Sequence, residues 1–310
     1  MSKLGTKDGF AAQKNAFGDS DHVVYVEGED LKKLKQTLLG MLQDFMAVCA
    51  KYDLNYTLSG GSVLGTIRHQ GFIPWDDDID VNMPRKDFDK LKEVFDKELG
   101  NDYKLLAPEL TPGYGAAASR FIKKGTAYRT FNDVAEPREN CGICIDIFVL
   151  ENTPDNALAR KLRGYWSLAV GYLLSCRKVY DYLPKLLEIQ DTPEVRAAFA
   201  KKYKIGRFFK FIPLDTAAHW TYKVYSGCKN DNSKYVTIPS GRKHYFGEMD
   251  SRENMCKITE GTFEGIKVKL PSGIESYMTR LYGPDYMTPP PAAKREKHPL
   301  FEFSLGEDKD

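Results

Sequence analysis

The chain has 310 residues, 42% of them hydrophobic and 28% charged, with 45 Lys and Arg against 43 Asp and Glu. That length allows one large domain or two small ones, and the composition suits a soluble globular protein. A net charge of +2 excludes a global field that would recruit nucleic acid or anionic membrane, leaving only local patches to do so.

The N-terminal run MSKLGTKDGFAAQKN lacks the apolar core of a signal peptide. No apolar stretch reaches the roughly twenty residues that a bilayer crossing needs, so the expectation is a cytoplasmic protein. Six cysteines include one CxxC, Cys141 and Cys144. No second pair or nearby histidine completes a zinc set, which leaves reduced thiols in a reducing compartment. The five histidines show no ligand spacing.

Residues 1–28 are polar and lack a clear period, and read as a flexible N-terminal segment. From Leu31 to Leu54, apolar residues recur at three- and four-residue steps (Leu34, Leu38, Met41, Phe45, Val48), which predicts a helix. Asn55 to Leu58 reads as a short strand. Gly60, Gly61 and Ser62 then turn into a helix running to His69, with Val63, Leu64 and Ile67 on its inner face. Glycines permit a tight turn, and the free N–H groups of a helix start, with the Ser62 hydroxyl, form an anion site. Past Trp75 comes the acidic run DDDIDV. Residues i and i+2 of a strand share a face, so Asp78 and Asp80 project together while Ile79 and Val81 turn to the core. Two carboxylates so placed repel unless a cation sits between them, and hard oxygen donors suit Mg²⁺ or Mn²⁺. A capped helix and a solvated acidic loop would explain either half alone. Together, a phosphate cradle facing a carboxylate metal site is equipment for phosphoryl or nucleotidyl transfer.

An amphipathic helix follows from Pro84 to near Gly100, with Phe88, Leu91, Val94 and Phe95 inward. Strand-like runs cover Tyr103 to Ala107 and Ala116 to Ile122. The second leads into basic residues, with Arg120, Lys123 and Lys124 near Gly125. These are a solvated hairpin or, at Arg120 and Lys123, a grip on nucleotide phosphates. Ile143 to Leu150, ICIDIFVL, is the most strand-like segment, and Asp146 at its centre is costly to bury unless paired or metal-bound. Residues from Pro154 to Cys228 read as three or four helices, the first of them ending at Leu183. There the stripe Tyr165, Trp166, Tyr172 and Tyr180 reads as core, and the basic aromatic run KKYKIGRFFKF reads as a solvated face or a membrane contact. Short strands at Tyr235 to Ile238 and Thr262 to Leu270, then a helix from Ser272 to Tyr282, close the pattern.

The run SGGSVLGTIRHQGFIPWDDDIDVNMPR resembles the signature of the LicD family, and LYGPDYMTPPPAAKREKH resembles its C-terminal motif. LicD proteins are bacterial phosphocholine transferases related to the fukutin group. The resemblance implies an α+β fold: a nucleotidyltransferase-like mixed sheet flanked by helices, with a helical insertion and a small C-terminal segment. The implied divisions are 1–28, a catalytic core at 29–153, a helical region at 154–232 and a packed C-terminal segment at 233–310. The family usually has Pro at the position of Val149. The resemblance further implies that Asp146 joins Asp78 and Asp80 as third carboxylate and base. It strengthens Arg120 as a phosphate ligand beside Gly60, Gly61, Ser62, Arg68 and Lys123. Trp75, Asp77 and His69 stand as supporting or substrate-contacting residues, Trp75 by cation–π attraction to choline. The implied reaction moves a phospho-alcohol, phosphocholine above all, from a CDP-activated donor such as CDP-choline. The acceptor is a glycan or lipid-linked glycan, of lipopolysaccharide or a teichoic-acid precursor, and CMP leaves. The partners include no nucleic acid, and peripheral contact with the inner membrane face stays open. Nucleotidyl transfer from an NTP, or glycan binding without catalysis, are the rival readings.

Overall fold

The computed structural model describes residues 23–292, 295 and 297–306, so most of the expected N-terminal segment lies outside the described residues. Helix α1 (Gly28–Lys51) carries Leu34, Leu38, Met41, Phe45 and Val48 on one buried stripe, the period anticipated from the sequence. Strands β1 (Thr57–Leu58), β2 (Ile79–Pro84), β3 (Tyr103–Leu106), β4 (Ser119–Lys123) and β6 (Cys144–Asn152) form a mixed sheet in the order β1-β2-β6-β4-β3. Strand β5 (Ala127–Thr130) stands outside it, paired with β11 (Leu300–Ser304). Two short strands, β7 (Tyr235–Thr237) and β8 (Asp250–Ser251), extend the sheet from the far end of β6.

The β2–β6 pair is parallel and the other core pairs are antiparallel. Ile79, Val81 and Met83 of β2 and Ile145 and Ile147 of β6 are fully buried on one face. There Phe121 of β4 meets Phe45 of α1 and Phe95 of α3 (Arg85–Leu99), with ring centroids 6.1 and 5.8 Å apart. Strict alternation turns Asp80, Asp146 and Arg120 to the opposite face. Helix α2 (Gly60–His69) follows β1 directly. The chain is thus α+β, a mixed sheet flanked by helices. Among the described residues, no helix is long and apolar enough to cross a membrane.

Three expectations need correction. The helices α4 (Ala157–Ile189), α5 (Pro193–Phe208) and α6 (Leu214–Tyr225) lie where expected, but α4 runs on through Pro184. Proline costs that turn a hydrogen bond. Burial of Tyr182, Leu183 and Leu186, with Tyr182 edge-on to Phe199 at 5.7 Å, holds the helix together. The strand expected over Thr262 to Leu270 is instead a hairpin, β9 (Ile258–Phe263) and β10 (Ile266–Pro271). Glu264 and Gly265 both take positive φ, 47° and 81°, the geometry of a two-residue type I′ turn. Glu is an unusual residue there, so the turn left little local signal. Finally, Tyr165 and Trp166 are not core: they are 56% and 61% exposed. A last helix, α7 (Ile274–Tyr282), packs by the start of α2.

Candidate active site

Strand register assembles the site. Asp80 lies directly opposite Asp146 across β2–β6, and Arg120 lies directly opposite Asp146 across β4–β6. Facing residues of a ladder share a face, so carboxylate, carboxylate and guanidinium form one row. Arg120 donates from Nε to Asp146 Oδ1 at 3.2 Å and from Nη1 to Asp133 Oδ1 at 2.9 Å. Asp133 ends a short 3₁₀ turn, where the Thr130 hydroxyl donates to it at 2.5 Å. Burial alone would raise the Asp133 carboxyl, but Arg120, Lys178 and Thr130 outweigh it and hold its pKa low.

The acidic loop before β2 adds a second cluster. Lys35 on α1 pins the loop by donating to the carbonyls of Ile73 and Pro74 at 3.1 and 3.0 Å. Asp77 is buried, accepts from the Tyr128 hydroxyl at 2.9 Å and meets His298 Nδ1 at 2.7 Å. His298 Nε2 stands 4.0 Å from Asp78 Oδ2. Asp77, Asp78 and His298 thereby offer three ligand atoms within 4.8 Å of one another. Burial pushes the Asp78 carboxyl up to about 6; His298 opposes the rise, while Asp77 and Asp146 add to it. Asp80 is pushed well above the carboxylate range by burial, then by Asp78, Asp146 and Asp76. His298 shows the reverse: burial disfavours its charge, but Asp77, Asp78 and Asp76 overcome this and raise it to about 10.

The Gly-Gly-Ser turn is stitched to the same strand. Gly60 has φ +45°, and a Cβ there would stand 3.5 Å from both Asp80 Oδ2 and the Tyr282 hydroxyl. Ser59 N–H donates to the Asp80 carbonyl at 2.9 Å, and the Ser62 hydroxyl accepts from Asp80 N–H at 2.9 Å. The Tyr277 hydroxyl on α7 bonds Ser59 Oγ at 3.0 Å and accepts from Gly60 N–H at 3.3 Å. The positive end of α2 is therefore held beside Asp80, and Ser62 positions that residue through its backbone.

The remaining sequence candidates divide. Arg68 donates to the Tyr286 carbonyl at 2.8 Å and to His69 Nδ1 at 3.3 Å, tying the end of α2 to the C-terminal loop. His69 lies edge-on to Trp75 at 6.4 Å, and the Arg295 guanidinium sits 4.1 Å over the Trp75 ring. Lys123 does not join Arg120. Three positions along a strand reverses the face, and its ammonium lies 5.3 Å over the Tyr103 ring. His298, Tyr128, Asp133 and Tyr277 were not anticipated. None stands near the acidic run in sequence, and His298 is 221 residues from Asp77. A cleft opens over the assembled groups, walled by Asp77, Asp78, Asp80, Arg120, Asp146 and His298.

Residues 53–156 match the LicD/FKTN/FKRP nucleotidyltransferase domain, a span that holds the Gly-Gly-Ser turn, the acidic run, Arg120 and Asp146. This segment is a LicD-family domain. Over 287 residues the chain is 24% identical to the lipopolysaccharide cholinephosphotransferase LicD of Haemophilus influenzae, covering 88% of this chain and 97% of that protein. Two shorter matches, each 33% identical, are to uncharacterised Rickettsia proteins. RP689 of Rickettsia prowazekii matches over 58 residues, 19% of this chain and 22% of that protein. RT0683 of Rickettsia typhi matches over 72 residues, 22% of this chain and 23% of that protein. His298 and Tyr277 lie outside the LicD-family domain, so the cleft is completed by the C-terminal part of the chain.

Proposed function

We propose that this protein transfers phosphocholine from CDP-choline to a hydroxyl of a lipopolysaccharide-type glycan, releasing CMP. The observation that carries the reading is the row Asp80, Asp146 and Arg120, one cleft with Asp78 and His298. The similarity to the Haemophilus cholinephosphotransferase over most of both chains supports the choice of transferred group.

Mg²⁺ or Mn²⁺ fits this cleft. Asp78, Asp80 and Asp146 supply hard oxygen donors beside the group Asp77, Asp78 and His298. Burial, then the crowding of neighbouring carboxylates, raises Asp78 and Asp80, as expected of a site that a cation would relieve. Bound there, a divalent ion would neutralise the donor diphosphate and favour the developing charge. Arg120, already aimed by Asp133, binds a phosphoryl oxygen. The α2 start lends its dipole and the Ser62 hydroxyl. Asp146 takes the proton of the acceptor hydroxyl, whose oxygen bonds to the phosphorus bearing choline as the bond from that phosphorus to CMP breaks. His298 holds Asp77 in place and balances the acidic loop. A choline headgroup on Trp75 has to displace Arg295 from its ring. The six free cysteines suit a cytoplasmic site for the reaction. A teichoic-acid precursor is the alternative acceptor.

The matched domain description also favours a second reading, transfer of NMP from an NTP. The released product separates the two. CMP from CDP-choline, dependent on divalent ion and on added lipopolysaccharide, supports phosphocholine transfer. Pyrophosphate from a panel of NTPs, with no CMP, moves the assignment to nucleotidyl transfer.

A further inference from the structure

We propose that the helical layer α4–α6 docks the protein on an anionic lipid surface, through the apolar face of α4 that α5 leaves uncovered and the basic end of α5.

Positions 162, 166, 169, 173, 176 and 180 of α4 fall on one helical face. α5 covers the later part of that face: Tyr203 packs on Tyr180 at 5.4 Å, and a Cβ on Gly206 would reach within 2.1 Å of the Cys176 carbonyl. α5 ends at Phe208, and the earlier part of the face emerges largely exposed, with Tyr165 leaning on Phe246 at 5.3 Å. Leu158 and Leu162 are 67% and 62% exposed, beside the exposed Tyr165 and Trp166. Where α5 ends, Phe208 and Phe211 stand out at 73% and 72%. Isolated apolar residues on a surface are ordinary, but six large ones along one helix and the end of its neighbour are not.

Charge selects the occupant. From Ala157 to Tyr180 the chain has five Lys and Arg and no Asp or Glu, and from Val195 to Leu214 it has six and none. These stretches hold 11 of the 45 cationic side chains in a chain of net charge +2. Arg177, Lys178 and Arg196 among them pair with Asp181, Glu136 and Asp191, so the outward charge is concentrated at the end of α5. Lys201, Lys204, Arg207 and Lys210, all exposed, line the outer side of α5 and its end. An apolar strip rimmed by one sign of charge suits the headgroup boundary of a bilayer, where Phe, Trp and Leu sink in and Lys and Arg meet anionic headgroups. A protein partner would need acids matched to these positions. A bilayer containing phosphatidylglycerol needs only its headgroups. Such docking would hold the enzyme where a lipid-linked acceptor lies.

The test is co-sedimentation of the full chain with vesicles of phosphatidylcholine, with and without phosphatidylglycerol. It compares wild type with Phe208→Ser/Phe211→Ser and with Lys204→Glu/Arg207→Glu/Lys210→Glu. These residues are exposed and outside the cleft, so circular dichroism, and CMP release from CDP-choline with detergent-dispersed lipopolysaccharide as acceptor, should be unchanged. Binding to anionic vesicles alone, weakened at least about tenfold by either variant and lowered by salt, supports the proposal. Equal binding to neutral vesicles, no binding, or binding indifferent to both variants overturns it. So does a wild-type dimer in solution that the Phe208→Ser/Phe211→Ser variant splits, since a second copy would then cover the face. CMP release is scored separately, so loss of vesicle binding and loss of the transferase activity are distinguishable.

Discussion

Asp78→Asn exchanges one oxygen for nitrogen at the mouth of the acidic loop, and the structure gives the sign of its effect on stability. The wild-type carboxyl is raised from 3.8 to about 6 by burial and by Asp77 and Asp146, net of the pull of His298. At about 1.4 kcal/mol per pH unit, ionising it in the fold costs about 3 kcal/mol. The side chain is 34% exposed, so solvent screening reduces this to about 1–2 kcal/mol. The folded carboxyl holds its proton more tightly than the unfolded one. Its favourable contribution is therefore full below pH 3.8 and is lost as pH rises through about 6. The amide that replaces it stays neutral throughout. In EDTA at pH 7.5, Asp78→Asn should melt about 2–6 °C above wild type, and the gain should shrink to nothing near pH 4. Under turnover conditions with Mg²⁺, the same variant should lose at least about 100-fold in CMP release. Differential scanning fluorimetry at the two pH values reads the first effect. A variant no more stable than wild type at pH 7.5 would refute the picture of a site held at an electrostatic cost for function.

Arg120→Ala leaves Asp133, almost fully buried, without its guanidinium, and should cost about 3 kcal/mol in urea unfolding. Arg120→Lys keeps the charge but not the fork that reaches two carboxylates, so activity should fall further than stability. Tyr277→Phe strips a hydroxyl shared by Ser59, Gly60 and Asn82; a loss of about 1–3 kcal/mol and weaker donor binding by calorimetry are expected. Gly65→Ala would place a Cβ 2.4 Å from the Gly71 carbonyl, and overpacking of about 1–3 kcal/mol should show as a lowered melting temperature.

The strand–turn–helix–strand unit was legible because its signals are local. Alternation through DIDV separates Asp78 and Asp80 from Ile79 and Val81, and the structure keeps that separation. A lone acid in ICIDIFVL flags Asp146 by cost alone, and register then sets it beside Asp80. The same alternation argues against Lys123, which lies three positions from Arg120. His298, Tyr128 and Tyr277 reach the cleft only through tertiary packing, across separations of 221, 51 and 218 residues. No spacing rule spans such distances. The stripe at Tyr165 and Trp166 shows a related limit. Period reveals that a helix has an apolar face, but whether protein or something else covers it depends on where the next helix stops.

The most direct measurement of the transfer itself is mass spectrometry of lipopolysaccharide incubated with the protein, Mg²⁺ and CDP-choline labelled in the choline methyls. The expected result is a labelled phosphocholine adduct with one CMP released per adduct, absent in EDTA and in Asp80→Asn and Asp146→Asn. An adduct formed equally by those variants would contradict the assignment of the cleft. CMP released without any adduct would contradict the assignment of the acceptor.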